Sequence, residues 1–211
     1  LIVATGAYGK PKPVSFQGMN TFPGRILHSA EYRTGKDFAG QKVLVVGFGN
    51  SACEIAIDLY EQGAIPFMSV RSPVNVIPRD VLGLPVIELS LLLNRLPVRV
   101  ADALSAPLLK WLIGDLNKLG LKKLPYGPLE EIRRDGKAPV LDIGTLQLIR
   151  EGHIGIYGET DHIAGETIHF RDGKKENFHA IVAAIGDYRD YAEIVDVERR
   201  RFEDLRLSVA K

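Results

Sequence analysis

The stretch Lys42-Val-Leu-Val-Val-Gly47-Phe-Gly49-Asn50-Ser51-Ala52 decides the fold of this chain. A short apolar run rich in β-branched residues ends at Val46, which predicts a strand buried on both faces of a parallel sheet. The turn that follows has the Gly-x-Gly-x-x-Ala spacing of dinucleotide sites. In such turns the first glycine makes the bend, the second lets a pyrophosphate approach the backbone, and the third small residue lets helix and strand pack closely.

The residues after this turn predict a helix and a second strand. Apolar residues recur at helical spacing from Asn50 to about Gln62, and Gly63 supplies a C-terminal stop. Ile65 to Val70 then predicts a strand. The N–H groups at the start of the helix, and the positive end of its dipole, favour phosphate. We therefore predict an α/β fold built on a Rossmann-like parallel sheet with flanking helices.

The end of the second strand indicates which nicotinamide cofactor the site takes. NAD sites usually place Asp or Glu there to hold the ribose 2′-hydroxyl, whereas this chain has Arg71 followed by Ser72. A guanidinium presents a fork of donors that suits a 2′-phosphate, while a solvated surface arginine is the plainer interpretation. The predicted NADPH site comprises Gly47, Gly49, Asn50, Ser51, Ala52, Arg71 and Ser72.

A second motif lies just upstream of the glycine turn. Phe22-Pro-Gly24-Arg-Ile-Leu-His28-Ser-Ala-Glu-Tyr32 resembles the identifying motif of flavin-containing monooxygenases. The resemblance continues through Val70 to Asp80, Gly127 to Leu129 and Pro139 to Thr145, and it covers residues 1 to about 190. These stretches look most like the YUCCA branch, whose plant members oxidatively decarboxylate indole-3-pyruvate.

The resemblance implies the cofactors and the chemistry. In that family a reduced flavin reacts with oxygen to form a C4a-hydroperoxide, and bound NADP⁺ protects it while a small organic substrate is oxidised. The cofactors carry this chemistry, and the protein supplies binding and orientation. The fold implied is that of flavoproteins with two dinucleotide sites, one for FAD and one for NADPH. Possible FAD-side contacts are Thr5 and Gly6.

The resemblance also implies residue roles. Asn50 and Ser51 would lie near the pyrophosphate and ribose. His28 and Tyr32 would shape the linker between domains, and all four motif residues, Phe22, Gly24, His28 and Tyr32, would be structural. We assign no catalytic residue, because the sequence shows no carboxylate or nucleophile arranged to use His28.

The same resemblance implies how the chain is partitioned. Residues 1–38 would be the end of the first part of the FAD domain and a linker, 39–177 the NADPH-binding domain with a helical insertion over 80–120, and 178–211 the return strand and a tail. Ile185 stands where the family has threonine. Because the FAD-binding glycine turn is absent from these 211 residues, we expect this chain alone to be inactive.

Further elements are predicted downstream. Residues 81–116 should form two amphipathic helices, with a core-facing stripe of Leu104, Leu108, Trp111 and Leu112. A strand or helix start is expected within residues 140–149. Strands are expected at Ile154–Tyr157, Glu166–Phe170 and Ala180–Ala184, and Asp172-Gly173 predicts a hairpin. This order predicts a small three-stranded antiparallel element beside the parallel sheet.

Composition limits the remaining function classes. The 211 residues are 45% apolar with a net charge of +1, so we expect one good core and no nucleic-acid partner, since the Arg199–Arg201 cluster fits a solvated helix face. Charged residues interrupt the apolar region too often for a membrane span. The single cysteine, Cys53, is expected to be buried and fits a reducing cytoplasm. The histidines lack ligand spacing, so no metal is assigned.

Two alternatives stay open on the sequence. An NAD(H)-sensing regulatory domain of the TrkA kind shares the strand-turn-helix unit, but it would carry an acidic residue in place of Arg71 and would lack the upstream motif. A flavin-dependent disulfide reductase would share the architecture and NADPH. The absence of a Cys-x-x-Cys pair counts against it.

Overall fold

The computed structural model describes residues 8–81, 83–86, 88 and 96–189. The predicted FAD-side contacts Thr5 and Gly6, and the Arg199–Arg201 cluster, lie outside the described residues. The strands of the described part are β1 (Tyr8–Pro11), β2 (Arg25–His28), β3 (Lys42–Val46), β4 (Ile65–Ser69), β5 (Val76–Pro78), β6 (Asp80–Val81), β7 (Leu84–Pro85), β8 (Val140–Asp142), β9 (Gly155–Tyr157), β10 (Thr160–Ala164), β11 (Thr167–Phe170), β12 (Lys175–Asn177), β13 (Ala180–Ala183) and β14 (Asp187–Arg189). The main helices are α1 (Asn50–Glu61), α2 (Val98–Ile113), α3 (Pro128–Asp135) and α4 (Thr145–Arg150), and single 3₁₀ turns form at Met19–Thr21, Gly35–Phe38 and Leu116–Leu119.

These elements divide into two compact units. The smaller unit contains residues 8–14 and 185–189, in which β1 pairs antiparallel with β14. The larger unit contains residues 15–184. Its centre is a five-stranded parallel sheet with strand order β2-β13-β3-β4-β9. The predicted Rossmann-like parallel sheet is confirmed.

Strand β3 is buried on both faces, as its apolar run predicts. Val43, Leu44 and Val45 are each fully buried. Because side chains alternate along a strand, Val43 and Val45 pack in the core on the α1 side, whereas Leu44 packs in a second core with the aromatic residues Phe170 and Phe178.

Helix α1 matches its prediction to within one residue at its end. It buries Ala52, Ile55 and Leu59 against the sheet. Gly63 follows the helix with a φ of +83°, a conformation that glycine adopts readily and that ends the helix. Cys53 is fully buried, as expected.

A three-stranded antiparallel element is present, as predicted, but it is formed by β10, β11 and β12, and of the strands expected to build it only the one at Glu166–Phe170 (β11) belongs to it. Its second hairpin turns at Asp172-Gly173, where Gly173 has a φ of +83°. Two other predicted strands, β9 and β13, belong to the parallel sheet. Residues 140–149 contain both a strand, β8, and a helix, α4.

The predicted core-facing stripe of α2 is wrong. Leu104 is 62% exposed and Trp111 76% exposed, and Leu108 and Leu112 are only partly buried. The buried face carries Ala101, Asp102 and Ile113 instead. The physical reason is that the Asp102 carboxylate accepts hydrogen bonds from the N–H groups of Leu129 (3.1 Å) and Glu130 (3.0 Å) and so caps α3, which turns the polar side of α2 inward.

Helix α2 confirms one of the two helices predicted between residues 81 and 116, and the second falls largely on residues outside the described part. Helix α2 is the one long helix among the described residues of this region, and residues 82, 87 and 89–95 lie outside them. The start of the region forms a short antiparallel pair, β6 with β7. No helix in the described part of the chain is both long and apolar enough to cross a membrane.

Candidate functional site

The glycine turn after β3 has the geometry that its sequence predicts. Gly47 has a φ of +129°, and a Cβ built there would lie 2.4 Å from the carbonyl oxygen of Ala184. Its N–H donates to the carbonyl of Ser69 at 2.9 Å. The chain can therefore bend at this point, next to the end of β13, only with glycine.

Gly49 is the N-cap of α1 and differs from Gly47 in what surrounds it. Its backbone is extended, with φ −112° and ψ −179°, and a Cβ built there meets no atom within 4 Å. No side chain caps the helix. The turn thus presents uncapped backbone N–H groups beside open space, which is the arrangement that binds phosphate groups.

Three predicted residues form the first turn of α1. Ala52 is buried and gives the close packing expected of the third small residue. Ser51 is exposed. Oδ1 of Asn50 accepts a hydrogen bond of 2.8 Å from the N–H of Leu141. This contact fixes the Asn50 side chain and ties the start of α1 to β8.

Arg71 and Ser72 follow β4 and line a cavity of about 400 Å³. The cavity opens at the carboxyl ends of β4 and β9, where Val70 N–H donates to the carbonyl of Tyr157 at 2.9 Å. Ligands of open α/β sheets bind outside the carboxyl ends of the strands. The cavity therefore lies at the edge of the sheet where a ligand is expected to bind.

The cavity carries more positive charge than the sequence indicated. Besides Arg71 it is lined by Lys122, Arg171 and Lys174. Arg171 pairs with Glu159 at 3.2 Å, and Lys174 pairs with Asp172 at 3.4 Å. Among the residues that the structure describes, Arg71 and Lys122 form no ion pair, and both are exposed. These two cations are therefore available to an anionic ligand.

The sequence does not predict Lys122 as a site residue, because no local pattern identifies it as one. It lies 51 positions after Arg71 and reaches the cavity through backbone pairing: Val74 N–H donates to the Lys122 carbonyl at 2.8 Å, and Leu124 N–H donates to the Val74 carbonyl at 3.2 Å. The only signal in the sequence is the adjacent pair of lysines at 122 and 123.

The upstream motif is packed against the parallel sheet. Phe22 is buried, and Gly24 passes so close to the neighbouring backbone that a Cβ there would lie 2.0 Å from the His179 carbonyl oxygen. His28 ends β2 and is buried. Its Nδ1 accepts from the N–H of Ala30 at 3.1 Å, which places the proton of a neutral ring on Nε2.

Tyr32 connects this motif to α1. Its hydroxyl donates to Oδ2 of Asp58 at 2.6 Å, and the same oxygen accepts from the N–H of Gly35 at 2.7 Å. The ring stacks on Phe38 with centroids 6.1 Å apart. Burial raises the pKa of Tyr32 far above its usual value, and the bond to Asp58 raises it further. The hydroxyl is therefore a fixed donor at physiological pH.

The described residues contain no group of three or more His, Cys, Asp or Glu side chains that could hold a metal ion. The five-stranded parallel sheet, with the glycine turn after β3 and the cationic cavity after β4, defines an α/β fold of the Rossmann-like class. Comparison with known proteins narrows this class. The flavin-binding monooxygenase-like family model matches residues 1–199, so the chain belongs to that family.

Two curated relatives illustrate the match. The chain is 40% identical over 187 residues to indole-3-pyruvate monooxygenase YUCCA1 of Oryza sativa subsp. japonica, covering 88% of this chain and 46% of that protein. It is 41% identical over 189 residues to indole-3-pyruvate monooxygenase YUCCA6 of Arabidopsis thaliana, covering 88% and 45%. The chain thus spans about half the length of the curated relatives it matches.

A solved structure shares the fold. The cyclohexanone monooxygenase from Rhodococcus sp. Phi1 bound to NADP⁺ superposes with a TM-score of 0.65 at 15% identity, covering 87% of this chain and 45% of that one. The family uses FAD and NADPH. The family match leaves the regulatory sensor and the disulfide reductase without support.

Proposed function

We propose that this chain is the NADPH-binding portion of a flavin-dependent monooxygenase. The observation that carries the proposal is a pair of cations, Arg71 and Lys122, which line the same cavity at the carboxyl end of β4. NADP(H) differs from NAD(H) by a 2′-phosphate, and two unpaired cations at this place favour the phosphorylated cofactor.

Different residues of the chain would bind different groups of the cofactor. The open space over Gly49 and the N–H groups of Asn50, Ser51 and Ala52 receive the pyrophosphate. Arg71, with Ser72 beside it, and Lys122 hold the 2′-phosphate. When bound, NADPH supplies the hydride that reduces the flavin. The protein contributes position and charge.

The organisation of the whole enzyme belongs to the same proposal. Residues 1–38 and 178–211 would contribute to the FAD side, with Thr5 and Gly6 as FAD contacts, and 39–177 would form the NADPH domain. The substrate would be a small organic molecule, since the curated relatives are named for indole-3-pyruvate. We place the enzyme in the cytoplasm.

We also propose that this polypeptide alone is inactive. Its 211 residues contain a single Gly-x-Gly sequence, at Gly47 and Gly49, whereas a flavoprotein with two dinucleotide sites uses one such turn for each. Purified chain that retains flavin absorbance and oxidises NADPH would disprove this part of the proposal while leaving the NADPH site untouched.

The test is calorimetric titration of the purified chain with NADPH and with NADH. We expect Arg71→Ala and Lys122→Met each to weaken NADPH binding by about tenfold or more, because each removes one charge-assisted contact to the 2′-phosphate. NADH binding should change little in either variant. Arg79→Ala removes an exposed arginine that lies outside the cavity and pairs with Asp80 at 4.0 Å, so it is the matched control. Equal affinity for both cofactors, unaffected by Arg71→Ala, would refute the assignment.

A further inference from the structure

A second cavity, of about 430 Å³, lies in the insertion between β5 and α3. We call it the insertion cavity. It is in the size range of small-molecule sites. Its apolar wall is formed by Val76, Ala106, Leu109, Ile113, Leu116 and Pro128.

The walls of the insertion cavity are held by hydrogen bonds between elements. Asp102 of α2 caps α3, as described above. The Nδ2 of Asn75, next to β5, donates to the Tyr126 carbonyl and to Oε2 of Glu131, both at 3.0 Å. The Arg150 guanidinium donates to the carbonyl of Ile113 at the end of α2. The cavity is therefore formed before any ligand arrives, which lowers the cost of binding.

The polar groups that line the insertion cavity differ in whether they already have hydrogen-bond partners within the protein. Both oxygens of Asp102 accept from backbone N–H groups, and Oδ1 of Asp115 accepts from the backbone and side chain of Asn117 at 3.0 and 3.1 Å. Lys110 and Lys123 also line the cavity and form no ion pair with any described residue. The positive groups left for a ligand are the two ammonium groups beside the apolar wall, and the remaining acceptors are Oδ2 of Asp115 and Oδ1 of Asn117.

The insertion cavity is distinct from the proposed nucleotide site. Residues 122–124 pair with Val74, so successive side chains project to opposite sides. Lys122 lines the cavity that contains Arg71, whereas Lys123 lines the insertion cavity. One extended segment thus supplies one lysine to each cavity.

We infer that the insertion cavity is a second ligand site, which binds a small amphipathic carboxylate. The apolar part of the ligand contacts the Leu109 and Ile113 wall, and its carboxylate pairs with the ammonium groups of Lys110 and Lys123. The inference does not rest on the NADPH assignment, because it uses no residue of that site.

The test uses octanoate as the probe and octanamide, which has nearly the same shape without the charge, as its control. Binding to the 211-residue chain is followed by ligand-observed NMR, with and without saturating NADPH. We expect octanoate to bind, octanamide to bind at least about tenfold more weakly, and NADPH to leave octanoate binding unchanged. Failure of octanoate to bind, equal binding of the amide, or displacement of octanoate by NADPH would each overturn the inference.

Substitutions in each cavity show which of the two binds octanoate. Lys110→Met and Lys123→Met should each weaken octanoate binding by about tenfold, whereas the neighbouring Lys122→Met should leave it unchanged. Ala106→Phe fills the cavity from an exposed helix position and should abolish binding, with an unchanged unfolding midpoint showing that the chain still folds. Trp111→Ala controls for adsorption to the exposed face of α2. Octanoate binding that Trp111→Ala removes, or that Ala106→Phe leaves intact, would overturn the inference.

Discussion

The hydroxyl of Tyr32 donates a hydrogen bond of 2.6 Å to Oδ2 of Asp58, across 26 positions of sequence. This bond joins the segment that follows β2 to the last turn of α1. The segment after β2 is thereby fixed to the C-terminal end of α1, at the opposite end of the helix from the glycine turn. The family motif therefore contributes to the position of the helix whose first turn faces the proposed pyrophosphate site.

Replacing Tyr32 by phenylalanine tests this connection. The ring can still stack on Phe38, but the Asp58 carboxylate loses its shortest donor. We expect the free energy of unfolding to fall by about 1–3 kcal/mol, the range for hydrogen bonds to charged groups. Urea unfolding measures it. Tyr60→Phe, on the same helix, is the control, and an equal loss in both variants would contradict the role of the Tyr32 bond.

The two glycines of the turn should respond differently to alanine. Gly47→Ala places a methyl group against the Ala184 carbonyl at positive φ, so we expect a loss of about 3 kcal/mol in stability. Gly49→Ala meets no atom, so its stability should change by less than about 1 kcal/mol.

The NADPH affinity of Gly49→Ala is the informative quantity. The added methyl group would occupy the space proposed for the pyrophosphate, so binding should weaken by about tenfold or more in calorimetry. A Gly49→Ala chain that binds NADPH as tightly as the unmodified chain would show that the pyrophosphate does not approach this residue.

Thiol labelling should distinguish two positions that are two residues apart on α1. Burial raises the pKa of Cys53 to about 12, so the thiol should react slowly with an aromatic disulfide reagent at neutral pH and fast in denaturant. Ser51→Cys places a second thiol at the exposed first turn. That thiol should react at once, and NADPH should slow its reaction. Protection of Cys53 but not of Ser51→Cys by NADPH would contradict the proposed position of the cofactor.

Glu131 should make stability depend on pH. Burial raises its pKa above the ordinary 4.5, and the hydrogen bond from Asn75 acts in the opposite direction. Between the ordinary and the raised value the folded state holds more protons than the unfolded state, so stability falls as pH rises through this window. Above the window, the cost of ionising the buried carboxyl is fully present.

Glu131→Gln removes that ionisation and keeps an acceptor for Asn75. We expect the variant to gain stability relative to the unmodified chain as the pH rises from about 4 to 7, measured by urea unfolding at each pH. Glu54→Gln, at an exposed position on α1, should give a difference that is flat with pH. A flat difference for Glu131→Gln as well would contradict the expectation.

The exposure of Trp111 can be tested directly, since it is the only tryptophan in the chain. At 76% exposure its fluorescence should already resemble that of indole in water and shift little on unfolding. Iodide should quench it in the native chain nearly as well as in urea. A blue-shifted native emission would instead mean that the α2 face carrying Leu104 and Trp111 is covered.

The helix that carries Trp111 also shows where prediction from sequence stopped. Periodicity identified a helix, but it could not tell which side faces the core, because the deciding contact is the Asp102 carboxylate on an α3 backbone 27 positions away. In contrast, local patterns sufficed for β3, the glycine turn and the stop at Gly63. Lys122 and the partner of Asn50 depend on long-range backbone pairing, which leaves no periodic trace in the sequence.

The position of β13 has a consequence for biosynthesis. This strand lies between β2 and β3 in the sheet, pairing Val182 with both Leu27 and Val45, and its four residues are all buried. A nascent chain that has emerged only as far as β12 therefore holds an open slot with two unpaired strand edges, which can attract other chains. Translation must release residue 183 before the sheet can close, so pauses upstream of it would expose the nascent chain to aggregation and to chaperone capture.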